Sequence, residues 1–499
     1  MRNRLILSLL SGLLMGMALP MQWGHWVPPN LGFLAWIALV PLIFAVDGLR
    51  PGRAYWVAFP GMLLAHTIMV YWFFTAVHVF GHLPTVVSIL ITFAGIAFLT
   101  AITSLAPMIV AWINRSQFHW WAWPLVWATI EFARNFDPFL QGFTFCNLIH
   151  SQYRYPLIIQ IVNLVGPYWF LSLIVLVNVG IARARTHVRY LAMVGGVFAL
   201  LLGYGAYSKI HIQSVSLDMP TLKVALIQGN IPQDDKWNAQ LAVHNFRIYQ
   251  QASIDVAAAK PDLIVWPEAS YPWIFDLQTK EFPTDAGLPQ VPILLGALTR
   301  EGNFHHNSAV LFDGNTQYAD VVHKYHLVPF GEYVPYKKFL FFAKKLTREV
   351  GDLRPATNIR PISLDGIPLG VLVCYEDTFP EIARKLVADG STLLVNITND
   401  AWYGWSSAAE QHLAASVFRA VENGRALVRA TNTGVSAIIG ADGELEFKSP
   451  LYSPAIIAAA VPLGIGQTPY NRWGWGVDLA LPVLLTFALY VIRRQKTHP

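Results

Sequence analysis

Long apolar runs occupy the two ends of the chain, and a stretch of short alternating elements lies between them. The runs cover about residues 5–19, 31–46, 55–77, 86–113, 118–133, 157–181, 190–207 and 477–492. A helix needs about 20 mainly apolar residues to cross the hydrocarbon core of a membrane. The pattern therefore predicts an α-helical polytopic membrane domain of about eight spans, with about seven of them before residue 210.

Two of these runs admit a second interpretation. The first follows Arg2 and Arg4 and has the shape of a signal peptide, but no convincing small-x-small cleavage site follows it, so we interpret it as a retained span. The run at 118–133 is short, rich in tryptophan and carries Glu131. It fits either a tilted span or an interfacial helix.

Residues 210–475 have a different pattern, in which short apolar runs alternate with polar helical stretches. Strands are predicted at 222–228, 262–266, 292–296, 307–312, 367–373, 392–397 and 435–439, and a helix at about 410–424. Elements alternating at this spacing predict a layered α/β domain. We therefore divide the chain into a membrane domain at 1–209, an extracytoplasmic α/β domain at 210–475, and a last span with its tail at 476–499.

The composition agrees with this division. Charged residues make up 13% of the chain, against about 25% in ordinary soluble proteins. The deficit lies in the apolar ends, which indicates a membrane protein with one sizeable water-soluble domain. The net charge of +5 comes largely from arginines beside the spans. Membrane topology explains this charge better than nucleic-acid binding, which we do not expect.

The distribution of arginine and lysine predicts the direction of insertion, because these residues are enriched on the cytoplasmic side. With the N-terminus in the cytoplasm, the outside loops hold little beyond Arg134 and Arg154. This arrangement places both termini in the cytoplasm and residues 210–475 on the periplasmic face of a bacterial inner membrane, and it depends on the number of spans. The inside segments then carry Arg2, Arg4, Arg50, Arg53, Arg115, Arg183, Arg185, Arg189, Arg493, Arg494 and Lys496.

The strand predicted at 367–373 ends on Cys374, and this cysteine is the centre of the predicted chemistry. With only two cysteines the chain has no disulfide framework, and a thiol at a strand end lies at the rim of a sheet, where a ligand can reach it. The same position also suits a small buried hydrophobic residue. Glu268 and Lys324 favour chemistry jointly, although each alone is compatible with a salt-bridged cap or a solvated lysine.

Each of the three residues has a chemical task in acyl transfer. The thiolate, not the thiol, attacks a carbonyl, so Cys374 needs a base and a nearby cation. Glu268 can take the thiol proton and return it to a leaving alkoxide. Lys324 supplies positive charge near the oxyanion, and the backbone N–H of Tyr375 is a second candidate donor.

The sequence around these residues carries a resemblance to a known family. Trp-Pro-Glu268, the run from Lys324 to Glu332 and Cys374-Tyr375-Glu376 resemble the nitrilase (carbon–nitrogen hydrolase) superfamily, and with spans on both sides the whole chain resembles the apolipoprotein N-acyltransferase family within it. The resemblance implies a nitrilase-like αββα sandwich with a Glu-Lys-Cys triad. It also implies supporting roles, in the oxyanion site or in substrate binding, for Glu332, Tyr375, Glu376, Trp237 and Asn307.

The reaction that this family implies is a ping-pong transfer, the last step of bacterial lipoprotein maturation. Cys374 takes a fatty acyl chain from a phospholipid, with phosphatidylethanolamine as the expected donor. The N-terminal amine of a diacylglyceryl apolipoprotein then attacks the thioester, which reacts with amines more readily than an oxyester does. The same triad also fits a membrane-tethered amidase or nitrilase. A transporter or sensor is disfavoured, because the spans contain few charged residues.

No cofactor and no metal are expected from the sequence. The 15 histidines show no metal-ligand spacing: His305 and His306 are adjacent, and no cysteine lies near His323 or His326. A further segment, residues 337–345, has an apolar centre between basic shoulders. It fits either a mobile arm that dips into the headgroup layer and gates lipid access to Cys374, or a buried amphipathic helix.

Overall fold

The computed structural model describes residues 1–115, 117–136, 142–280, 282, 287–334, 353–464 and 466–497, and the segment 337–345 lies outside them. The apolar runs of the first part form helices, which satisfy their own backbone hydrogen bonds as a segment surrounded by lipid requires. These helices are α1 (Arg2–Ala18), α2 (Val40–Val46), α3 (Pro51–Val70), α4 (Phe73–Thr75), α5 (Thr85–Thr103), α6 (Leu105–Ile113), α7 (Ala122–Arg134), α8 (Pro156–Ile159), α9 (Val162–Arg183) and α10 (Arg189–Leu217).

Several of the helices are long enough to cross a membrane. Among the described residues, four qualify by length and composition: Thr85–Ile113, Val162–Arg183, Arg189–Leu217 and Trp475–Arg494. A bent pair, Pro51–Val70 and Phe73–Phe80, meets at 61° and adds a fifth if it is one broken span. Helix α7, at the predicted run 118–133, has 13 residues and is short for a span. The count of about eight spans and the direction of insertion stay predictions.

The long helices expose many apolar side chains on their outer faces. A continuous apolar surface of this kind is stable against lipid and unfavourable in water. It therefore agrees with the prediction of a membrane protein. Examples are Val86, Leu90, Phe93, Leu191, Leu200, Ile210, Val483 and Phe487.

Among the described residues, α10 is followed by thirteen strands and six further α-helices. The strands are β1 (Thr221–Gln228), β2 (Leu263–Val265), β3 (Ile274–Asp276), β4 (Ile293–Glu301), β5 (Phe304–Phe312), β6 (Tyr318–His323), β7 (Ile362–Leu364), β8 (Ile367–Val373), β9 (Leu393–Thr398), β10 (Leu427–Thr431), β11 (Ala437–Ile439), β12 (Leu445–Lys448) and β13 (Ala455–Pro462). The helices are α11 (Gln233–Lys236), α12 (Ala242–Ala257), α13 (Pro380–Ala388), α14 (Ala408–Asn423), α15 (Pro469–Trp473) and α16 (Trp475–Thr497).

The strands form two sheets that pack face to face. One sheet has seven strands in the order β13-β1-β2-β4-β5-β6 with β3 beside β4, and the other has six in the order β12-β11-β10-β9-β8-β7. Leu294 and Leu311 of the first sheet share one buried core with Leu372 and Val428 of the second. Helix α12 covers the outer face of the first sheet, and α13 and α14 lie against the second. The predicted layered α/β arrangement, an αββα sandwich, is confirmed.

A buried charged network joins the second sheet to α14. The His412 imidazole contacts Asp377 through Nε2 at 2.7 Å and Asp400 through Nδ1 at 2.8 Å. Arg429 contacts the same two carboxylates at 2.8 and 3.0 Å. Burial alone would raise the pKa of both aspartates, but His412 and Arg429 outweigh it and hold each pKa below its usual value. Two acids and two bases thus balance each other inside the domain.

The sandwich packs directly on the apolar helices. Helix α14 lies between the second sheet and α9, where the Phe418 ring is 6.2 Å from the Phe170 ring. Gln411 donates through Nε2 to the carbonyl of Met69 at 3.0 Å. Thr378, four residues after Cys374, bonds to the Thr144 hydroxyl at 2.6 Å. The strand end that carries the cysteine therefore lies close to the helices of the first part of the chain.

Candidate active site

Cys374 stands at the turn between β8 and a 3₁₀ helix, Cys374–Thr378. Its φ is +57°, the left-handed region that non-glycine residues rarely adopt. Such a conformation costs about 1–3 kcal/mol and persists where the surrounding structure enforces it. The side chain is 5% exposed, and the charges of Glu268 and Lys324 both act on its thiol.

Glu268 is held in position by a close approach of the backbone. It follows β2 in a tight segment in which Ala269 has a φ of +47°. Gly296 of β4 passes directly beneath it: a Cβ atom at position 296 would lie 2.5 Å from the Glu268 Cα. Only glycine allows this approach. The Glu268 carboxylate accepts a hydrogen bond from the Asn307 amide at 2.7 Å.

Lys324 lies one residue beyond the end of β6, and its ammonium group binds two carboxylates. The Nζ atom is 3.0 Å from Glu332 Oε1 and 3.3 Å from Glu268 Oε1, and the residue is 1% exposed. The Asn307 amide also donates to Glu332 at 2.7 Å, so it bridges the two acids. A charge this deeply buried is stable only with such partners.

Glu332 and Glu376 fix the loop that carries the lysine. Glu332 accepts from the backbone N–H of Val328 at 2.7 Å. Glu376 accepts from the N–H groups of Tyr325 and His326 at 2.6 and 3.0 Å, and from that of Val373 at 2.7 Å. Glu376 thereby joins the residues after Lys324 to those before Cys374. Its position indicates that it sets the distance between these two loops.

The two aromatic residues predicted at the site lie at its edge. The Tyr375 ring centroid is 5.8 Å from Lys324 Nζ, and its hydroxyl donates to the carbonyl of Leu327 at 3.3 Å. Trp237 packs beside Leu298 and Leu327 in a small apolar cluster. The eight residues predicted for the site therefore form a hydrogen-bonded centre, a carboxylate brace and an aromatic edge.

The charges of the centre favour a proton on sulfur and none on the carboxylate. Burial raises the pKa of the Cys374 thiol, and the Glu268 charge raises it further against the opposing effect of Lys324. Burial opposes ionisation of Glu268 as well, but Lys324, Lys236 and Asn307 outweigh it and lower the Glu268 pKa. Burial likewise opposes the charge of Lys324, yet Glu332 and Glu268 raise its pKa well above its usual value. The resting site thus contains a thiol, an ionised base and a cation.

Lys236 is a member of the site that sequence reasoning missed. Its Nζ atom donates to the backbone carbonyl of Glu268 at 2.7 Å, and the residue is 4% exposed. Burial lowers its pKa to about 8, against the opposing charges of Glu268 and Cys374. In the sequence it is one lysine beside two aspartates, which is typical of a solvated helix end. The one signal in the sequence that Lys236 belongs to the site was its position next to Trp237, for which the family resemblance implies a supporting role.

The profile of the "Carbon-nitrogen hydrolase" family matches residues 223–470, and that of the "Apolipoprotein N-acyltransferase N-terminal domain" matches residues 11–180. A protein of Geobacter metallireducens named apolipoprotein N-acyltransferase is 34% identical, covering 100% of this chain and 97% of that one. Proteins of the same name from Nitrosomonas europaea and Shewanella oneidensis are 31% and 28% identical, covering 88% and 94% of this chain and 88% and 93% of their own.

Proposed function

The chain belongs to the apolipoprotein N-acyltransferase family, and we propose that it transfers a fatty acyl chain from a phospholipid to the N-terminal amine of a diacylglyceryl apolipoprotein through a thioester on Cys374. Its C-terminal region has the nitrilase-like carbon–nitrogen hydrolase fold. The observation that supports the mechanism is the joint burial of the Cys374 thiol, the Glu268 carboxylate and a lysine that binds this carboxylate at 3.3 Å.

In the first half-reaction, Glu268 takes the proton of the Cys374 thiol as the sulfur attacks the ester carbonyl of the phospholipid. The C–S bond forms, and negative charge develops on the former carbonyl oxygen. Lys324 and the backbone N–H of Tyr375 stabilise this oxyanion. The ester C–O bond then breaks, Glu268 returns the proton to the leaving alkoxide, and a lysophospholipid departs.

In the second half-reaction, the free amine of the acceptor attacks the thioester. Glu268 accepts a proton from the attacking nitrogen, the C–S bond breaks, and the proton passes to the sulfur of Cys374. An amide is formed and the resting thiol is restored. Glu332, Asn307 and Glu376 hold Lys324 and Cys374 in place in both halves, while Tyr375 and Trp237 line the edge that the acyl chain crosses.

The location that we propose follows from the substrates, which are both anchored in a membrane. The relatives of this chain are bacterial proteins, and its apolar helices agree with a location in the inner membrane. We assign residues 1–209 and 476–499 to the membrane part and residues 210–475 to a catalytic domain on the periplasmic face. Holding this domain against the leaflet raises the effective concentration of both lipids. We propose phosphatidylethanolamine as the donor.

A membrane-tethered amidase uses the same cluster of side chains, and product analysis separates the two functions. Full-length protein in detergent is mixed with phosphatidylethanolamine and a diacylglyceryl-cysteine peptide that has a free N-terminus. Transfer predicts equal amounts of N-acyl peptide and lysophospholipid, and neither product with Cys374→Ala. Release of free fatty acid in place of N-acyl peptide, or turnover of simple amides at a higher rate than the lipid, would overturn the proposal.

A further inference from the structure

Three side chains that the mechanism does not use converge at the ends of three neighbouring strands. Glu301 ends β4, His306 lies near the start of β5, and His323 ends β6. The Glu301 carboxylate is 3.9 Å from the Nε2 atom of each histidine. One donor atom from each residue lies within 4.8 Å of the other two. The two imidazole rings stack with centroids 4.2 Å apart and planes inclined by 20°.

The far side of each imidazole ring is already hydrogen-bonded. His306 Nδ1 lies 2.9 Å from the carbonyl of Arg354; since a carbonyl only accepts, this nitrogen carries the proton. His323 Nδ1 lies 2.7 Å from the Ser308 hydroxyl, which in turn lies 2.7 Å from the Thr299 hydroxyl. Histidines that bind metals are commonly oriented in this way, with one nitrogen hydrogen-bonded and the other directed at the ion.

Among the residues that the structure describes, neither nitrogen that faces Glu301 has a hydrogen-bond partner. A separation of 3.9 Å is too long for a hydrogen bond, so the carboxylate does not satisfy them. His306 carries its proton on Nδ1, so its Nε2 has the free lone pair that coordination of a metal ion requires.

We propose that Glu301, His306 and His323 form a binding site for a borderline divalent cation such as Zn²⁺. Two imidazoles and a carboxylate with an open position for water are a common zinc ligand set. Zn–N and Zn–O bonds of about 2.0–2.2 Å place neighbouring donors roughly 3.3 Å apart. The three donor atoms, which lie within 4.8 Å of one another, therefore have to move closer together when the cation binds. Glu301 is 66% exposed in its side chain, so rotation of this side chain can shorten its 3.9 Å distances to both imidazole nitrogens.

The proposed site lies behind the catalytic centre and not within it. Successive residues of a strand point to opposite faces of a sheet, so His306 faces away from Asn307, and His323 away from Lys324. Asn307 and Lys324 are also joined directly, by a backbone hydrogen bond of 2.8 Å. A cation bound by His306 and His323 would therefore link β5 to β6 on the reverse side of the two residues that hold Glu268. Its role is to position them and not to take part in the chemistry.

Residue spacing along the chain does not reveal this site, because one of its three ligands, His323, comes from a separate strand. Glu301 and His306 are separated by the turn between β4 and β5, and His323 comes from the next strand. The register pairs Thr299 with His306 and Ser308 with His323, which brings the ligands together. The expectation that no metal binds, which was based on spacing along the chain, is what this proposal replaces.

The test measures Zn²⁺ and Co²⁺ binding to the full-length protein, purified in detergent without a polyhistidine tag and treated with a chelator. The Cys374→Ala background removes the one catalytic thiol that would compete for the metal. Titration calorimetry is expected to give one Zn²⁺ per chain, and Co²⁺ is expected to give the visible absorption of a low-coordinate nitrogen and oxygen site. Bound Zn²⁺ is also expected to raise the melting temperature.

Matched variants separate this site from adventitious binding. Glu301→Gln and His323→Gln are each expected to weaken Zn²⁺ binding at least tenfold and to remove its effect on melting. His305→Gln, on the opposite face of β5, is expected to keep both. If His323→Gln does not fold, the exposed Glu301→Gln decides the matter. Absence of stoichiometric binding in the parent, or equal affinity in the parent and Glu301→Gln, would overturn the proposal.

Discussion

Replacing Lys324 by methionine removes the ammonium group while keeping an unbranched side chain of similar length. In the structure this group binds Glu268 at 3.3 Å and Glu332 at 3.0 Å, and it is 1% exposed. The substitution leaves two carboxylates facing each other across a buried space. Asn307, which donates to both acids at 2.7 Å, is then their one common partner among the described residues.

Two effects of different origin are expected. Loss of one oxyanion donor raises the barrier by about 2.7–4 kcal/mol, which slows formation of the acyl-enzyme by about 100- to 1,000-fold. Loss of the cation from a buried ion pair costs about 3–5 kcal/mol of folding free energy, unless one acid takes up a proton. The same substitution at Lys223, which is exposed on β1, is the control and is expected to change neither quantity.

A double variant separates the two effects. Adding Glu332→Gln to Lys324→Met removes one of the two stranded charges, so most of the lost melting temperature is expected to return while the acylation rate stays low. The rate is measured by single-turnover acylation with labelled phospholipid, and stability by thermal melting in the same detergent. Acylation within threefold of the wild-type rate in Lys324→Met would refute the role given to the lysine. A rate that recovers together with stability would show that the lysine is structural.

Three further outcomes follow from the geometry. Gly296→Ala places a Cβ atom 2.5 Å from the Glu268 backbone, so the acylation rate is expected to fall at least tenfold. Gly314→Ala, in which the new Cβ atom has its nearest contact at 3.4 Å, is the control and is expected to leave the rate unchanged. Equal acylation rates in the two variants would contradict this prediction. Because burial lowers the Lys236 pKa to about 8, its positive charge is lost as the pH rises through 8. The wild-type acylation rate is therefore expected to fall threefold or more between pH 7 and 9. Lys236→Met is expected to be slower than the wild type at pH 7 and to show no change in rate over this range. A wild-type rate that does not change with pH would show that the Lys236 charge does not contribute to acylation. His412→Asn leaves two buried aspartates with one arginine and is expected to cost about 3–5 kcal/mol of stability, seen as a lower melting temperature; an unchanged melting temperature would show that the network carries no such energy.

Much of the sandwich was predictable because its strands are strongly patterned. The apolar run Ile367 to Val373 is β8 to the residue, and the predicted helix at 410–424 is α14, Ala408–Asn423. A fully buried strand needs apolar residues on both faces, and this leaves a clear signal in the sequence. The position of Cys374 at the end of that strand followed directly.

The carboxylate brace of Glu332 and Glu376 was implied by the family resemblance and not by the apolar pattern of the chain. Glu376 acts by accepting hydrogen bonds from backbone groups some fifty residues away, and nothing in the local sequence encodes such partners. Lys236 and the cluster of Glu301, His306 and His323 depend likewise on which strands become neighbours. Hydropathy alone does not encode the number of spans, because α7 and Gly32–Val46 are apolar yet short, and a short span has the same pattern as a buried or interfacial helix.

The state of the Cys374 sulfur during turnover distinguishes acyl transfer through a thioester from every other mechanism. Full-length wild-type protein is incubated with phosphatidylethanolamine and no acceptor, and its intact mass and its peptides are then measured. The prediction is a gain in mass of one fatty acyl chain on the peptide that contains Cys374. Neutral hydroxylamine and the acceptor peptide are each expected to remove this acyl chain, and Cys374→Ala is expected not to acquire it. An acyl adduct that persists in Cys374→Ala, or N-acyl product formed with no adduct on this cysteine, would contradict the account.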